Sequence, residues 1–174
     1  MFESIKQYQN IIVTGPQRPG TRIGANIIAW DQSRKYVDEQ DIGIQSISKL
    51  TDFIYSTEKT CIQAPRLSCC CHLLDFRSTA VVFMIRDTSE IEASQKRIDW
   101  KHEEQELNCY FRKEGPIAPI KYEVWNQFQK PIMKLPFLEV EYASLSNHRL
   151  WANKRDRTNF QWNQTKTKAT KLLQ

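Results

Sequence analysis

Two glycines five positions apart, Gly15 and Gly20, separate a short apolar run from a helical one, and the chemistry of the chain is most visible there. Ile11-Ile12-Val13-Thr14 reads as a buried strand, Gly15-Pro16-Gln17-Arg18-Pro19-Gly20 as a turn, and Thr21-Arg22 as the opening of a helix. Backbone N–H groups at a helix start lack an intrahelical partner and carry partial positive charge, so an anion is their natural occupant. Gly15-x-x-x-x-Gly20 has the spacing of a phosphate-binding loop. Thr21 and Arg22, however, stand where a nucleoside triphosphatase places Lys and then Ser/Thr, the hydroxyl that holds magnesium. Arg18 puts the cation inside the turn instead. The loop is expected to hold phosphate without standard magnesium chemistry.

Other residues fit the same kind of ligand. Arg86 closes the apolar run Thr79–Ile85, and Ser94 follows it by eight positions on a helix that Thr88 or Ser89 can cap, so both can face one ligand across a strand-to-helix turn. Asp38 and Glu39 end a second short strand, and Asp41 follows; acids there lie on the ligand side of an open α/β sheet. The Lys154–Trp162 segment mixes cations with aromatics, which pair with phosphate and stack on a base. Cys69-Cys70-Cys71 with His72 fits no zinc spacing, and reduced thiols on a helix are the expectation.

The elements that must position these groups alternate. After the loop, Ile23, Ile27, Ile28 and Trp30 make a helical stripe. Residues 35–39 read as a second strand, 46–55 as a helix, 60–65 as a third strand stopped by proline, and 67–76 as a compact apolar helix. Residues 79–85 are apolar and branched enough for burial on both faces, which predicts a central parallel strand. A charged-faced helix is expected over 100–112, with no chemistry assigned to His102. A break at 115–119, a short helix over 122–128 and an alternating late strand over 137–142 complete the chain. The expected fold is α/β, a three-layer arrangement like that of P-loop NTPases, with a mainly parallel sheet between helices.

The motifs, in this order, resemble those of sulfotransferases, whose donor is 3′-phosphoadenosine 5′-phosphosulfate. Gly15-Pro16-Gln17-Arg18-Pro19-Gly20-Thr21-Arg22 is similar to their 5′-phosphosulfate loop, Pro-x-(Lys/Arg)-Ser-Gly-Thr-Thr, with Pro19 for Ser and Arg22 for the second Thr. Arg86 and Ser94 have the spacing of the family's 3′-phosphate site, with Thr88 where Pro is usual. Tyr142-Ala143-Ser144-Leu145 is similar to the Tyr-Glu-Asp-Leu after the late strand. The resemblance implies sulfuryl transfer to a hydroxyl or amine, with adenosine 3′,5′-bisphosphate as product and no metal required. Arg18 would be the catalytic electrophile and Glu39 or Asp38 the base. His72 and Asp41 are further candidates for that role. Arg155, Arg157 and Trp162 would fold over the donor.

With 174 residues, the chain is expected to form one domain, 1–174, with a basic C-terminal segment from about 149. The net charge of +5 belongs to that segment, since residues 149–174 hold seven Lys/Arg and one Asp. No apolar run approaches the about 18 residues of a membrane span, and the start of the chain lacks a signal-peptide core, so a cytoplasmic protein is expected. Nucleic acid and membrane are not the expected partners; a homodimer is possible. Two other readings stay open. One is a nucleotide or small-molecule kinase, using Thr21 for magnesium. The other is a non-catalytic nucleotide- or nucleic-acid-binding module, for which the basic aromatic tail speaks.

Overall fold

The computed structural model describes residues 1–43, 47–99 and 117–151. Five parallel strands are described: β1 (Asn10–Thr14), β2 (Lys35–Asp38), β3 (Thr60–Gln63), β4 (Thr79–Ile85) and β5 (Phe137–Glu141), in the order β2-β3-β1-β4-β5. β1 and β3 are buried throughout, and β4 at all but its last residue. Strands covered on both faces need continuous apolar side chains, which Ile11-Ile12-Val13 and Ala80-Val81-Val82-Phe83-Met84 supply. β4, expected as a central strand, is interior, and β1 takes the middle place.

Among the described residues four α-helices connect the strands: α1 (Thr21–Asp31), α2 (Ile47–Ser56), α3 (Thr88–Lys96) and α4 (Ile117–Val124). One face of the sheet packs Ile11, Val13, Cys61, Val82 and Met84 against Ala25 and Ile28 of α1, with Phe2, Ile5 and Leu145 filling the margin. The other packs Ile12, Ile62, Val81 and Phe83 against Leu50 and Ile54 of α2, with Leu67, Leu74 and Trp125. The chain is therefore a three-layer α/β fold of the P-loop type. Its connection from β1 lies on one face while those from the neighbouring β3 and β4 lie on the other. A divergence of this kind opens a crevice at the carboxyl ends of the strands, where the β1–α1 turn lies.

Two expected elements differ. Residues 67–76 do not form one helix; they make two short 3-10 turns, Pro65–Cys69 and Cys71–Leu73, broken by Cys70. Leu67, Cys71, Leu74 and Phe76 are all buried in the same core, so the segment is as apolar as expected without being one helix. Cys61, Cys69, Cys70 and Cys71 are free thiols, and burial pushes the Cys61 thiol up to about 12. The break expected at 115–119 gives way at Ile117, where α4 begins with Pro119 in its first turn, a position proline tolerates because no intrahelical N–H is required there. α4 passes into one turn of π-helix, Trp125–Gln129. The segment expected as a helix over 100–112, with His102, lies outside the described residues, as do Arg155, Arg157 and Trp162.

Trp125 holds the β4–β5 side together. Its indole is fully buried and stacks on Phe83 with centroids 4.0 Å apart, and its Nε1 donates to Glu139 Oε1 at 2.7 Å. The other carboxylate oxygen of Glu139 accepts from Lys130 Nζ at 2.6 Å. Partial burial pushes the Glu139 carboxyl up, but the hydrogen bonds from Lys130 and Trp125 outweigh it and hold the group below its ordinary value. A depressed pKa stabilises the fold above the unfolded value and loses that contribution as the carboxylate protonates. Glu139→Gln is therefore expected to be less stable than the parent chain at neutral pH. The two should converge as pH falls below about 4.3, the ordinary glutamate value. Urea unfolding across that range checks this; a gap independent of pH would show that charge is not the cause.

Candidate anion-binding site

The turn from β1 to α1 is built from unusual backbone. Gly15 (φ 142°), Arg18 (φ 74°) and Gly20 (φ 100°) all have positive φ. For a residue with a Cβ this costs roughly 1–2 kcal/mol, so Arg18 holds its place only because its surroundings impose it. Those surroundings are visible on every side. A Cβ on Gly15 would lie 2.7 Å from the carbonyl oxygen of Met84, so the turn passes hard over the end of β4. Thr14 Oγ1 donates to Ala64 O at 2.8 Å, tying the end of β1 to β3. Gln95 Nε2 of α3 donates to Gln17 O at 3.3 Å, and Lys121 Nζ of α4 donates to Gln17 Oε1 at 2.7 Å. Pro16, Gln17 and Pro19 are buried while Arg18 is exposed. Gly20 is the N-cap of α1, and no side chain caps that terminus, which leaves Thr21 and Arg22 in the first turn as backbone donors toward the crevice.

The turn and the Arg86/Ser94 pair meet through Arg18, which lies 68 positions from Arg86 and 76 from Ser94. Arg18 Nε donates to Ser94 Oγ at 3.3 Å, and Arg86 Nη1 donates to Arg18 O at 3.3 Å. Arg86 is oriented by three further contacts. Its Nε pairs with Glu90 at 2.8 Å, its guanidinium lies 4.2 Å from the centre of the Tyr142 ring, and its backbone N–H donates to the Tyr122 hydroxyl at 2.8 Å. Asp87, not Thr88 or Ser89, caps α3, accepting from the backbone N–H groups of Ser89 and Glu90. That placement sets Ser94 two turns on, buried and facing the loop. Partial desolvation pulls the Arg18 pKa down, and the neighbouring charges of Arg97, Arg22 and Arg86 pull it further. Four guanidiniums thus share one neighbourhood, which favours an anionic ligand that relieves their repulsion.

Asp38 and Glu39 are each paired with an arginine. Asp38 is buried, and both its oxygens are engaged. Oδ2 accepts from Arg22 Nη2 at 3.0 Å and from the Tyr36 hydroxyl at 3.3 Å, and Oδ1 accepts from Gln40 N at 3.1 Å. Burial pulls the Arg22 pKa down, but hydrogen bonding to Asp38 and the presence of Tyr36 raise it overall. Arg22, expected as part of the phosphate grip, therefore turns its side chain to β2 and leaves only its backbone to the loop. Glu39 is also buried; its Oε2 accepts from Arg66 N at 3.2 Å, and Arg66 Nε lies 3.8 Å from Oε1. Asp41 is exposed. His72 Nδ1 lies 3.4 Å from Gln129 Oε1, in the core region away from the loop contacts.

Three site residues escaped sequence reasoning. Lys121 is 3% exposed and reaches the loop from α4. A signal existed, because it falls on the buried stripe of Ile117, Ala118 and Val124, but the prolines nearby obscured the helix that makes the stripe. Arg97 adds a charge near Arg18 from just beyond α3. Tyr142 was noticed only as a motif position, whereas its ring lies against Gly20: a Cβ there would meet Tyr142 Cδ2 at 2.4 Å. Trp151 packs edge-on against the same ring, with centroids 5.8 Å apart.

No protein-family model matches the chain, and no curated protein matches it. Solved structures of similar overall form include the YorR protein from Bacillus subtilis in complex with phosphorylated GDP, at 13% identity. That match covers 77% of this chain and 86% of that one, with a TM-score of 0.48. Another is shikimate kinase from Acinetobacter baumannii in complex with shikimate, at 11% identity, covering 80% and 88% with a TM-score of 0.46. At these scores the likeness carries no weight for activity. Among the described residues no helix is long and apolar enough to cross a membrane.

The Tyr142 ring and Gly20 give a stability test of the site. Gly20→Ala adds both a strained φ and a clash, and is expected to cost roughly 1–3 kcal/mol in urea unfolding. In a Tyr142→Ala background the clash is gone and only the backbone strain is left, so the same substitution should cost about 1 kcal/mol less there. Equal costs in both backgrounds would show that the ring does not constrain the loop.

Proposed function

We propose that the chain is a nucleotide-dependent transferase of the P-loop type and that the group it moves is sulfuryl. The observation that carries this reading is the junction of the loop with the Arg86/Ser94 pair through Arg18. It joins the loop and the pair into one continuous cationic patch, which suits a donor with phosphates at two ends. 3′-Phosphoadenosine 5′-phosphosulfate is such a donor. The loop amides and Arg18 would take its 5′ end, and Arg86, Ser94 and Arg97 its 3′-phosphate. Sulfuryl transfer breaks the bond between sulfur and the bridging phosphate oxygen, which keeps the electron pair, and forms a bond from sulfur to the acceptor oxygen or nitrogen. Arg18 and the α1 N-terminus would neutralise the charge left on phosphate. They need no rearrangement to do so, because the backbone already holds them.

The acceptor's proton must go to a base. With both oxygens of Asp38 already accepting hydrogen bonds, Glu39 is the better of the two. Glu39 stands one residue past the end of β2, at the carboxyl end of the sheet, where a carboxylate can take the acceptor's proton. Phosphoryl transfer is the second reading, favoured by Thr21 and Asp38, a hydroxyl and a carboxylate near the loop that offer magnesium oxygen ligands. Against it, the two positions after Gly20 hold neither the usual lysine nor a hydroxyl at the second place, and Asp38 is committed to Arg22.

Adenosine 3′,5′-bisphosphate is expected to raise the melting temperature without metal. Arg86→Ala should remove most of that response while sparing more of the response to adenosine 5′-phosphate. Equal loss for both ligands would sink the 3′-phosphate assignment, and stabilisation only by ATP with magnesium would favour the kinase reading. Glu39→Gln should keep the bisphosphate response and lose transfer from labelled donor in an acceptor screen by about a hundredfold, as for a general base. Retained turnover would place the base elsewhere.

A further inference from the structure

We infer that α4 sets the span of the anion site, with Lys121 and Tyr122 as positioning residues, and so selects ligands whose two phosphates are a fixed distance apart; this rests on the donor reading above. Lys121 and Tyr122 are consecutive, and each grips a different half of the site. Lys121 Nζ donates to Gln17 Oε1 at 2.7 Å, on the loop, and the Tyr122 hydroxyl accepts from the backbone N–H of Arg86 at 2.8 Å, just past the end of β4. Neighbouring residues of an α-helix point about 100° apart around its axis, so one turn of helix reaches both halves.

The strands beneath put the two grips at equivalent points. β1 and β4 are adjacent and paired, with Thr14 opposite Phe83. Gln17 lies three positions beyond Thr14 and Arg86 three beyond Phe83, so α4 bridges the two chains equally far past the sheet. The contacts also close a ring. From Gln17 the chain passes to Arg18, whose carbonyl oxygen accepts from Arg86 Nη1 at 3.3 Å, and from the Arg86 backbone the ring returns through Tyr122 to Lys121. Gln95 Nε2 steadies it from α3 by donating to Gln17 O at 3.3 Å. A shift of the loop relative to Arg86 must break or lengthen one of these bonds.

The bracket is itself anchored in the core. Trp125, directly after α4, is fully buried and stacks on Phe83, and Tyr122 meets the same Phe83 ring at a steep angle, with centroids 6.3 Å apart. Burying a lysine or a tyrosine hydroxyl costs free energy unless other hydrogen bonds replace those to water. Here the replacements include atoms of the two halves of the site. A two-ended ligand gains from its second end only when both subsites are held at its own span. Rigid spacing therefore reads the distance between the ligand's charges, where clustered arginines alone would accept any polyanion.

The test uses the full chain and isothermal titration calorimetry, with adenosine 3′,5′-bisphosphate and adenosine 2′,5′-bisphosphate as ligands of equal charge and different span. Alkane bisphosphonates of graded chain length serve as nucleoside-free probes. Tyr122→Phe and Lys121→Met each remove one grip, while Val124→Ala, which deletes only buried apolar atoms of α4, controls for looser packing. The parent is expected to prefer the 3′,5′ isomer at least about tenfold and to show an optimum in bisphosphonate length. Tyr122→Phe and Lys121→Met should each narrow the isomer preference about fivefold and flatten the optimum. Val124→Ala should lower the melting temperature and keep both. A preference unchanged in Tyr122→Phe and Lys121→Met, narrowed as much in Val124→Ala, or a loss shared equally by every ligand overturns the inference while the donor reading stands. A length optimum that the two variants flatten, in a chain that binds neither nucleotide, would sink the donor reading and leave α4 as the bracket of a site for another two-ended anion. A parent with neither isomer preference nor length optimum overturns the span assignment outright.

Discussion

The left-handed backbone of the β1–α1 turn is the constraint on which the rest of the molecule depends. Three positive-φ residues within six positions make a concave run of amides that no isolated peptide would hold, least of all with an arginine at one of them. The sheet supplies the floor through Met84, α3 and α4 grip Gln17 through Gln95 and Lys121, and Tyr142 closes the side at Gly20. Elements from the middle and the end of the described chain are thus needed to shape a turn near its start.

The same economy governs charge. The charges of Arg97, Arg22 and Arg86 bear on Arg18 and lower its affinity for a proton, an arrangement that costs stability unless something negative relieves it. The fold relieves it in part, and unevenly. Arg22 has Asp38 and Arg86 has Glu90, with the Tyr142 ring beneath its plane. Arg18 is met by a serine hydroxyl, which orients it without cancelling its charge. Charge is cancelled at the margins and left standing over the loop.

Asp38 and Glu39 show how position and role separate. Both stand where a strand ends at the crevice, and spacing alone cannot tell them apart. Pleating sends their side chains to opposite faces of the sheet. Asp38 meets α1 and Arg22, and Glu39 meets the turn after β3 and Arg66. One carboxylate ties α1 to the sheet, and the other ties the turn after β3 to it.

The sequence by itself determined the alternation of strands and helices, the parallel sheet and the anion loop. Each of these rests on local physics: a continuous apolar run for a strand buried on both faces, glycines where φ is positive, unpaired amides at a helix start. It did not determine the segment after β3, because Leu67, Cys71, Leu74 and Phe76 are spaced well enough for a helix while Pro65 and the packing under Trp125 favour two tight 3-10 turns. Nor could it show Lys121 under the loop, Tyr142 against Gly20 or Arg22 bound to Asp38. Those contacts join residues 16 to 122 positions apart, and no local pattern records them. Only the tertiary structure brought them together, since the strand order β2-β3-β1-β4-β5 places the ends of distant strands, and the side chains that follow them, around a single crevice.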